Sequence, residues 1–168
     1  MGYDPTVLGG AGVAISASGR TLAISEPGWK TSFGVAQGRV YIHTSETEAW
    51  NLRQTITAPV RSGTQSVHGS SVALSADARY LAVADSGYAA PSNTKLGIVD
   101  IYRKTAAGDY VFMQSLRCDC DQPPSAMGNF GCSMLLSANG EMLVISQTTS
   151  SWYGAIRYEG IVQIFKLV

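Results

Sequence analysis

Short apolar stretches alternate with turns rich in glycine, serine and asparagine along the chain, and three groups of them follow the same order. In each group a short strand passes through a tight turn into a second strand that is apolar at nearly every position, as in strands covered on both faces. A third strand of alternating apolar residues follows a longer loop. No segment shows the period of an amphipathic helix, so the pattern predicts an all-β protein.

The predicted strands occupy equivalent places in the three groups. The turns between the first two strands carry Ser-Gly, Asp-Ala and Asn-Gly, pairs that favour tight hairpins. The predicted first strands cover residues 13–16, 71–75 and 133–137, the second strands 21–25, 80–84 and 142–146, the third strands 39–44, 98–103 and 161–166, and two fourth strands 52–57 and 111–117.

The spacing of small residues shows that these groups are repeats. Ser16, Ser75 and Ser137, each followed by alanine, are 59 and 62 residues apart. Gly10, Gly69 and Gly131 precede these serines by six residues, and Gly38, Gly97 and Gly160 follow them by 22 or 23. A four-stranded antiparallel meander repeated about every 60 residues is typical of β-propeller blades. We therefore predict one propeller segment over residues 1–168, with repeats at about 10–59, 69–118 and 131–168, the last one incomplete.

The repeat also resembles a known family. The pattern G-x-S-V-A-L-S-A-D-x-x-x-L-A-V, a loop, and then G-x-V-x-I-Y is similar to the FG-GAP repeat of integrin-type propellers. Phe130-Gly131 matches the dipeptide that names the family, and Ser25-Glu26-Pro27 stands in place of its Gly-Ala-Pro. The resemblance implies extracellular or cell-surface propeller blades.

Calcium-binding members of that family carry an Asp-rich loop between the first two strands. Here the corresponding turns read ASGR, ADAR and ANGE, with at most one carboxylate each. Because Ca²⁺ requires six or more oxygen ligands, we expect no metal in these turns, and nothing in the sequence indicates another cofactor.

The number of blades predicts partners. Propellers close with four to eight blades, whereas the sequence supplies three, and the third has no fourth strand before Val168. We therefore expect either a homo-oligomer, for instance a six-bladed ring of two chains, or a larger propeller that completes the open blade.

Composition excludes some partners. The chain has 12 basic and 12 acidic residues, so no net charge favours nucleic acid. No apolar run approaches the roughly 20 residues that a membrane-spanning helix needs, so we expect no membrane insertion. The N-terminal MGYDPTVLGG lacks the basic and apolar regions of a signal peptide.

The three cysteines, Cys118, Cys120 and Cys132, bracket the connector between the second and third repeats. One interpretation is a disulfide from Cys132 to Cys118 or Cys120, which leaves one odd thiol; the alternative is buried or free thiols. Without Cys-x-x-Cys spacing or a nearby histidine, the cluster does not indicate a zinc site.

Little in the sequence indicates catalysis. His43 and His68 occupy different repeat positions, and neither a nucleophile elbow nor a phosphate-binding loop occurs. Asp77, Asp85 and Asp100 belong to one repeat only and need not form a site. We therefore expect a protein that is not an enzyme, but a non-catalytic structural or protein-interaction module in an extracellular assembly.

Aromatic residues of the loops between second and third strands give the alternative function. Trp29 and Tyr88 both follow their repeat serine by 13 positions, and Trp152 and Tyr153 lie slightly later in the third repeat. Exposed rings stack on sugars, which predicts a lectin-type, glycan-binding propeller; packing of these rings against the neighbouring blade is the other interpretation.

Overall fold

A computed structural model of the chain describes residues 12–47, 49–59, 66–88, 97–118, 127–150 and 160–167. They form three antiparallel sheets, here named blade 1 (β1–β4), blade 2 (β5–β8) and blade 3 (β9–β12). The strands are β1 Val13–Ile15, β2 Thr21–Glu26, β3 Arg39–Thr44, β4 Asn51–Thr57, β5 Ser71–Leu74, β6 Tyr80–Asp85, β7 Ile98–Lys104, β8 Tyr110–Leu116, β9 Met127–Gly128, β10 Ser133–Leu136, β11 Met142–Ser150 and β12 Gly160–Lys166.

Blades 1 and 2 are simple meanders in which each strand pairs with the next. In both blades the register between the third and fourth strands shifts at the same place, after Ile42 and after Ile101. In blade 3 the strand order is β10-β11-β12, and the short strand β9 pairs with the far end of β11. The predicted all-β fold of propeller-type blades is confirmed.

Two details of blade 3 differ from the prediction. The second strand, β11, extends to Ser150, whereas the sequence pattern predicted an end at residue 146. The extension pairs with β9, which no repeat counterpart indicated, because a two-residue strand is too short to leave a pattern.

The repeat serine closes the first hairpin of every blade. The Oγ of Ser75 accepts a hydrogen bond from the Tyr80 amide at 3.0 Å and donates one to the Asp77 carboxylate at 2.6 Å. In blade 3, Ser137 does the same with Met142 and Asn139. A side chain that satisfies backbone groups of a turn in this way stabilises it, which explains why serine recurs at this position.

Asp77 makes one of these turns sensitive to acid. Burial opposes its charge, but hydrogen bonds from the Ser75 hydroxyl and the Arg79 amide, with the Arg79 guanidinium, together lower the pKa of Asp77 below its usual value. A carboxyl whose pKa is lower in the folded state stabilises the fold above its unfolded-state pKa, and that contribution is lost as pH falls through the folded-state pKa. We expect Asp77→Asn to fold normally, because Asn139 holds the same turn in blade 3, and to remove this part of the acid dependence.

Urea unfolding of the wild type and Asp77→Asn at several values below about pH 5 measures the effect. The reverse change in blade 3, Asn139→Asp, is the matched control and should add a weaker dependence, because Glu141 stands there in place of Arg79. Parallel stability profiles for all three proteins would contradict the role given to Asp77.

The blades pack face to face, and each interface is a cluster of buried side chains. We call the surface of a blade that meets the following blade its forward face, and the surface that meets the preceding blade its backward face. Between blades 1 and 2 the forward face supplies Ala23, Val40, Ile42 and Ile56, and the backward face supplies Val72, Leu81, Val83, Tyr102 and Tyr110. Between blades 2 and 3 the forward face supplies Ala73, Ala82, Ala84, Val99 and Ile101, and the backward face supplies Leu136, Leu143 and Ile145.

Each connector between blades crosses closely over a glycine of the preceding blade. The backbone of His68 lies against Gly38, and the backbone of Phe130 lies against Gly97. Both glycines have positive φ, 65° and 78°, a conformation that residues with a Cβ rarely adopt. The two glycines 22 positions after the repeat serine therefore serve both the turn and the contact between blades.

Candidate functional site

Trp29, the first aromatic residue predicted to bind a sugar, is half-buried against a charged neighbour. The guanidinium of Arg39 lies 4.8 Å from the centroid of the Trp29 ring and 4.9 Å from that of Tyr41. Glu26 fixes this arrangement, since its carboxylate accepts hydrogen bonds from Arg39 at 2.7 Å and from the Tyr41 hydroxyl at 2.6 Å. One face of the Trp29 ring is thus occupied by Arg39.

Tyr88, its repeat counterpart, is only 7% exposed. The guanidinium of Arg117 lies 5.6 Å from its ring centroid, so the ring packs inside blade 2 and offers no free face to a sugar. Trp152 and Tyr153 lie outside the described residues. Of the two predicted sugar-stacking residues that the structure describes, Trp29 and Tyr88, only Trp29 keeps part of its ring exposed.

Polar residues near the connectors have structural roles. His68 is fully buried and stands where blade 3 has Phe130: its ring meets Tyr102 edge-on at 6.3 Å, as Phe130 meets Phe165 at 6.1 Å. The Nδ1 atom of His68 lies 3.5 Å from the buried carboxylate of Asp100. This network is closed to solvent and has no access for a substrate.

Asp85 and Asp100 hold separate parts of blade 2. The carboxylate of Asp85 accepts hydrogen bonds from the Ser66 hydroxyl and from the Val67 amide, and so fixes the connector that enters the blade. Asp100 accepts a hydrogen bond from Ser115 on the adjacent strand at 2.7 Å. Each carboxylate is bound by its own local partners.

The cysteines differ from the expected pairing. Cys132 is a free, exposed thiol near the Ser146 hydroxyl, and Cys118 is disulfide-bonded. The expected disulfide from Cys132 is therefore wrong, and the odd thiol lies on blade 3. Cys120 lies outside the described residues. The Cys132 side chain instead lies against Ser146 of β11, with its Sγ 3.2 Å from the serine hydroxyl.

A cavity of about 260 Å³ opens between blades 1 and 2, at the end of the sheets where β1 turns into β2 and β3 into β4. The turn from β7 to β8 of blade 2 closes its other side. Its lining residues are Arg20, Thr21, Thr44, Ser45, Glu46, Arg53, Lys104, Ala107 and Gly108. Three cationic side chains and one carboxylate thus surround a mainly polar space in a chain whose net charge is zero.

Arg53 is held in place across the blade interface. Its Nε donates to the Asp109 carboxylate at 2.9 Å, and its Nη2 donates to the Ala107 carbonyl at 2.7 Å. The pair with Asp109 is exposed and contributes little to stability, but it sets the orientation of the guanidinium. Two of the five N–H donors are accounted for by these bonds, so others remain for a ligand.

The other two cations, Lys104 and Arg20, form no ion pair with a carboxylate of the described residues. Lys104 has its ammonium 6.0 Å from the Tyr110 ring centroid, and no carboxylate of the described residues lies within ion-pair distance of Lys104 or Arg20. Burial, with the charge of Asp77 added, raises the pKa of Tyr110 well above its usual value. The phenol therefore stays neutral, donating to the Ala78 carbonyl at 2.6 Å, and does not neutralise Lys104.

The repeat pattern does not reveal these three cations as a group. Arg20, Arg53 and Lys104 occupy different positions in two repeats, so counting along the repeat does not connect them. One signal was available. In a meander the first and third turns lie at the same end of the sheet, which places Arg20 near the turn after β3, and the next blade brings its own third turn alongside.

Comparison with known proteins supplies no family. No protein-family model matches the sequence, and no curated protein matches it, so the resemblance to FG-GAP repeats stays a prediction. Among solved structures, the chain is similar to the periplasmic gluconolactonase PpgL of Pseudomonas aeruginosa, with 15% identity and a TM-score of 0.45. The match covers 94% of this chain and 57% of the other, so this chain spans little more than half of that structure.

This match corrects one expectation. PpgL is a gluconolactonase, an enzyme, and that finding contradicts the expectation that this chain is not an enzyme but a non-catalytic structural, interaction or lectin module. The expectation is not carried further. At this identity and TM-score the similarity assigns no reaction to the chain, and the proposals below rest on its own residues.

Two further findings concern the described residues alone. The ranges described above contain no helix that is long and apolar enough to cross a membrane. Within the same ranges, no three His, Cys, Asp or Glu side chains come together as metal ligands.

Proposed function

We propose that the chain binds a small anionic molecule, one that carries a phosphate or carboxylate group, in the cavity between blades 1 and 2. The observation that carries this proposal is the concentration of positive charge there. Arg20, Arg53 and Lys104 line a cavity of about 260 Å³, and of these three side chains only Arg53 has a carboxylate partner among the described residues. Cationic side chains left without partners in a concave site attract and hold anions.

The three cations have different parts in this proposal. Arg53, oriented by Asp109 and Ala107, offers the remaining N–H groups of a rigid fork, which suits two oxygens of one anionic group. Lys104 and Arg20 come from the two opposite blades and add charge from both sides. Because its walls belong to both blades, the site forms only when the two pack together.

Other lining groups narrow the ligand class. The Thr44 hydroxyl can donate or accept a hydrogen bond, and the Glu46 carboxylate only accepts. A bare anion would leave Glu46 facing like charge, whereas a molecule with hydroxyl groups beside its anion would satisfy both. A single sugar phosphate or sugar acid has this combination and a suitable size, and we propose that class of ligand.

Titration calorimetry with glucose 6-phosphate, and with glucose as the uncharged counterpart, tests the proposal. We expect glucose 6-phosphate to bind and glucose not to bind, with affinity falling as NaCl is raised. Lys104→Gln and Arg20→Gln should each weaken binding about tenfold or more, since a hydrogen bond to a charged group contributes roughly 1.5–3 kcal/mol.

The chain offers matched controls for both variants. Arg103→Gln removes an exposed cation next to Lys104 on the same strand, and Arg79→Gln removes the repeat counterpart of Arg20 in blade 2; neither residue lines the cavity. Both controls should bind like the wild type. Equal losses in controls and cavity variants, or equal binding of glucose and its phosphate, would overturn the proposal.

We also propose an extracellular or cell-envelope location. The disulfide at Cys118 supports it, because disulfides persist in oxidising compartments and are rare in the cytosol.

A further inference from the structure

Arg53 is the extra residue of a β-bulge in blade 1. On β3, Ile42 pairs with Gln54 and the next residue, His43, pairs with Leu52, so that no residue of β3 lies opposite Arg53. A bulge takes a side chain out of the regular alternation of its strand, and bulges are frequent beside functional sites. The Arg53 guanidinium accordingly reaches out of its own sheet and makes its hydrogen bonds with blade 2.

The same bulge in blade 2 shows what this position contacts in the next interface. Its extra residue is Met113, which packs against the apolar cluster between blades 2 and 3. Leu167, which belongs to that cluster, is the counterpart of Lys104, because each of their amides donates to the carbonyl just before the second strand of its blade. Two apolar side chains at one interface thus correspond to two cations, Arg53 and Lys104, at the other, and the cavity lies beside these cations.

The bulge fixes only the base of the Arg53 side chain, and the turn from β7 to β8 holds its far end. The Asp109 carboxylate accepts from Nε at 2.9 Å, and the Ala107 carbonyl accepts from Nη2 at 2.7 Å. The turn is closed by its own backbone, since the Gly108 amide donates to the Thr105 carbonyl at 3.0 Å and the Thr105 amide donates to the Asp109 carbonyl at 2.8 Å. Both acceptors are therefore in place before a ligand arrives.

We infer that Asp109 is a positioning residue of the anion site, one that acts through Arg53 and does not touch the ligand. The inference rests on the proposed function and adds to it a residue that does not line the cavity. Asp109 and Ala107 engage Nε and one hydrogen of Nη2, and the remaining N–H groups of Arg53 are kept for the ligand. The ligand then binds an arginine that is already ordered, so its affinity is not reduced by the entropy cost of ordering that side chain.

The charge of Asp109 and its positioning role predict opposite effects of the same substitution. If Asp109 acted by its negative charge alone, Asp109→Asn would strengthen the binding of an anion. As a positioning residue it has the reverse effect: Asp109→Asn should weaken binding about threefold and Asp109→Ala about tenfold, because an amide oxygen still accepts from Arg53 and a methyl group does not. Titration calorimetry with glucose 6-phosphate and with inorganic phosphate measures both variants.

Glu46→Gln is the matched control for charge. Glu46 lines the cavity and forms no ion pair with the described residues, so its replacement should strengthen the binding of inorganic phosphate, which brings no sugar hydroxyl to the carboxylate. A second comparison tests the route through Arg53. In the Arg53→Gln background no guanidinium remains to be held, and Asp109→Ala should weaken binding no further. Because an exposed ion pair contributes little to stability, circular dichroism and urea unfolding of the Asp109 variants should match the wild type.

The outcomes separate this inference from the proposed function. If the wild type binds neither glucose 6-phosphate nor inorganic phosphate, the proposed function is wrong and the inference falls with it. If the wild type binds both and Asp109→Asn binds them equally or more tightly, the anion site stands and the positioning role is wrong. The role is also wrong if Asp109→Ala weakens binding as much in the Arg53→Gln background as in the wild type, or if Glu46→Gln weakens phosphate binding to the same extent as Asp109→Asn.

Discussion

Gly38→Ala is expected to destabilise the protein by roughly 3 kcal/mol or more, whereas Gly19→Ala costs only about 1 kcal/mol. The two glycines have nearly the same backbone conformation, with φ of 65° and 66°. They differ in what a Cβ atom would meet. At Gly19 nothing lies within 4 Å, but at Gly38 the Cβ would lie 2.1 Å from the carbonyl oxygen of His68.

This pair of variants separates conformational strain from steric overlap. The obstacle at Gly38 is backbone, which cannot move aside as the end of a flexible side chain can, so the connector into blade 2 must shift. Urea unfolding followed by fluorescence gives both free energies. Gly97→Ala, where the Cβ would meet the Phe130 carbonyl at 2.5 Å, should resemble Gly38→Ala. Equal losses at Gly19 and Gly38 would show that the close crossing does not determine stability.

Asp100→Ala is expected to destabilise the protein by about 2–4 kcal/mol, because it leaves the buried polar neighbours of a carboxylate unsatisfied. The carboxylate lies 3.5 Å from Nδ1 of His68, both side chains are fully buried, and Ser115 donates to the same carboxylate. Removing it takes the acceptor from the Ser115 hydroxyl and leaves the buried imidazole without the carboxylate beside it. Thermal and urea unfolding measure the loss.

The double variant His68→Phe with Asp100→Leu is the decisive comparison. Blade 3 already has Phe130 at the position of His68, with its ring against Phe165, so the site accepts phenylalanine. Replacing both members of a buried polar pair by apolar side chains is often neutral, and we expect the double variant to be more stable than Asp100→Ala. If the losses in unfolding free energy of His68→Phe alone and Asp100→Leu alone add up to that of the double variant, the two residues are not energetically coupled.

The architecture could be predicted from sequence because local rules and repetition agree. The turns with Ser-Gly, Asp-Ala and Asn-Gly lie where the tight hairpins are, and the continuous apolar stretches are the strands covered on both faces, such as β6. Comparing three copies of the repeat also shows which features of one copy are irregular. The ends of the repeats were harder to predict. The strand β9 pairs with a part of β11 that lies beyond the end predicted from the repeat.

The side chains near the sites could not be predicted, since their environment depends on contacts between repeats. His68 reads as a polar connector residue, yet the crossing over Gly38 carries it into the core. Tyr88 reads as a loop aromatic, yet its ring is buried. The cavity cations come from two blades, and only the packing of these blades, which no spacing along the chain reveals, brings Lys104 opposite Arg20.

Gln54 joins the first two blades in a way that apolar packing does not. Its side-chain amide donates to the Tyr110 carbonyl at 2.9 Å and accepts from the Tyr110 amide at 2.7 Å, which reproduces the pair of bonds that a neighbouring strand would make. Two hydrogen bonds of Gln54 thus connect the sheet of blade 1 to the sheet of blade 2. Opening the β7–β8 hairpin of blade 2 also breaks these bonds to Gln54 of blade 1. We therefore expect this hairpin to unfold together with blade 1, so that the two blades behave as one cooperative unit.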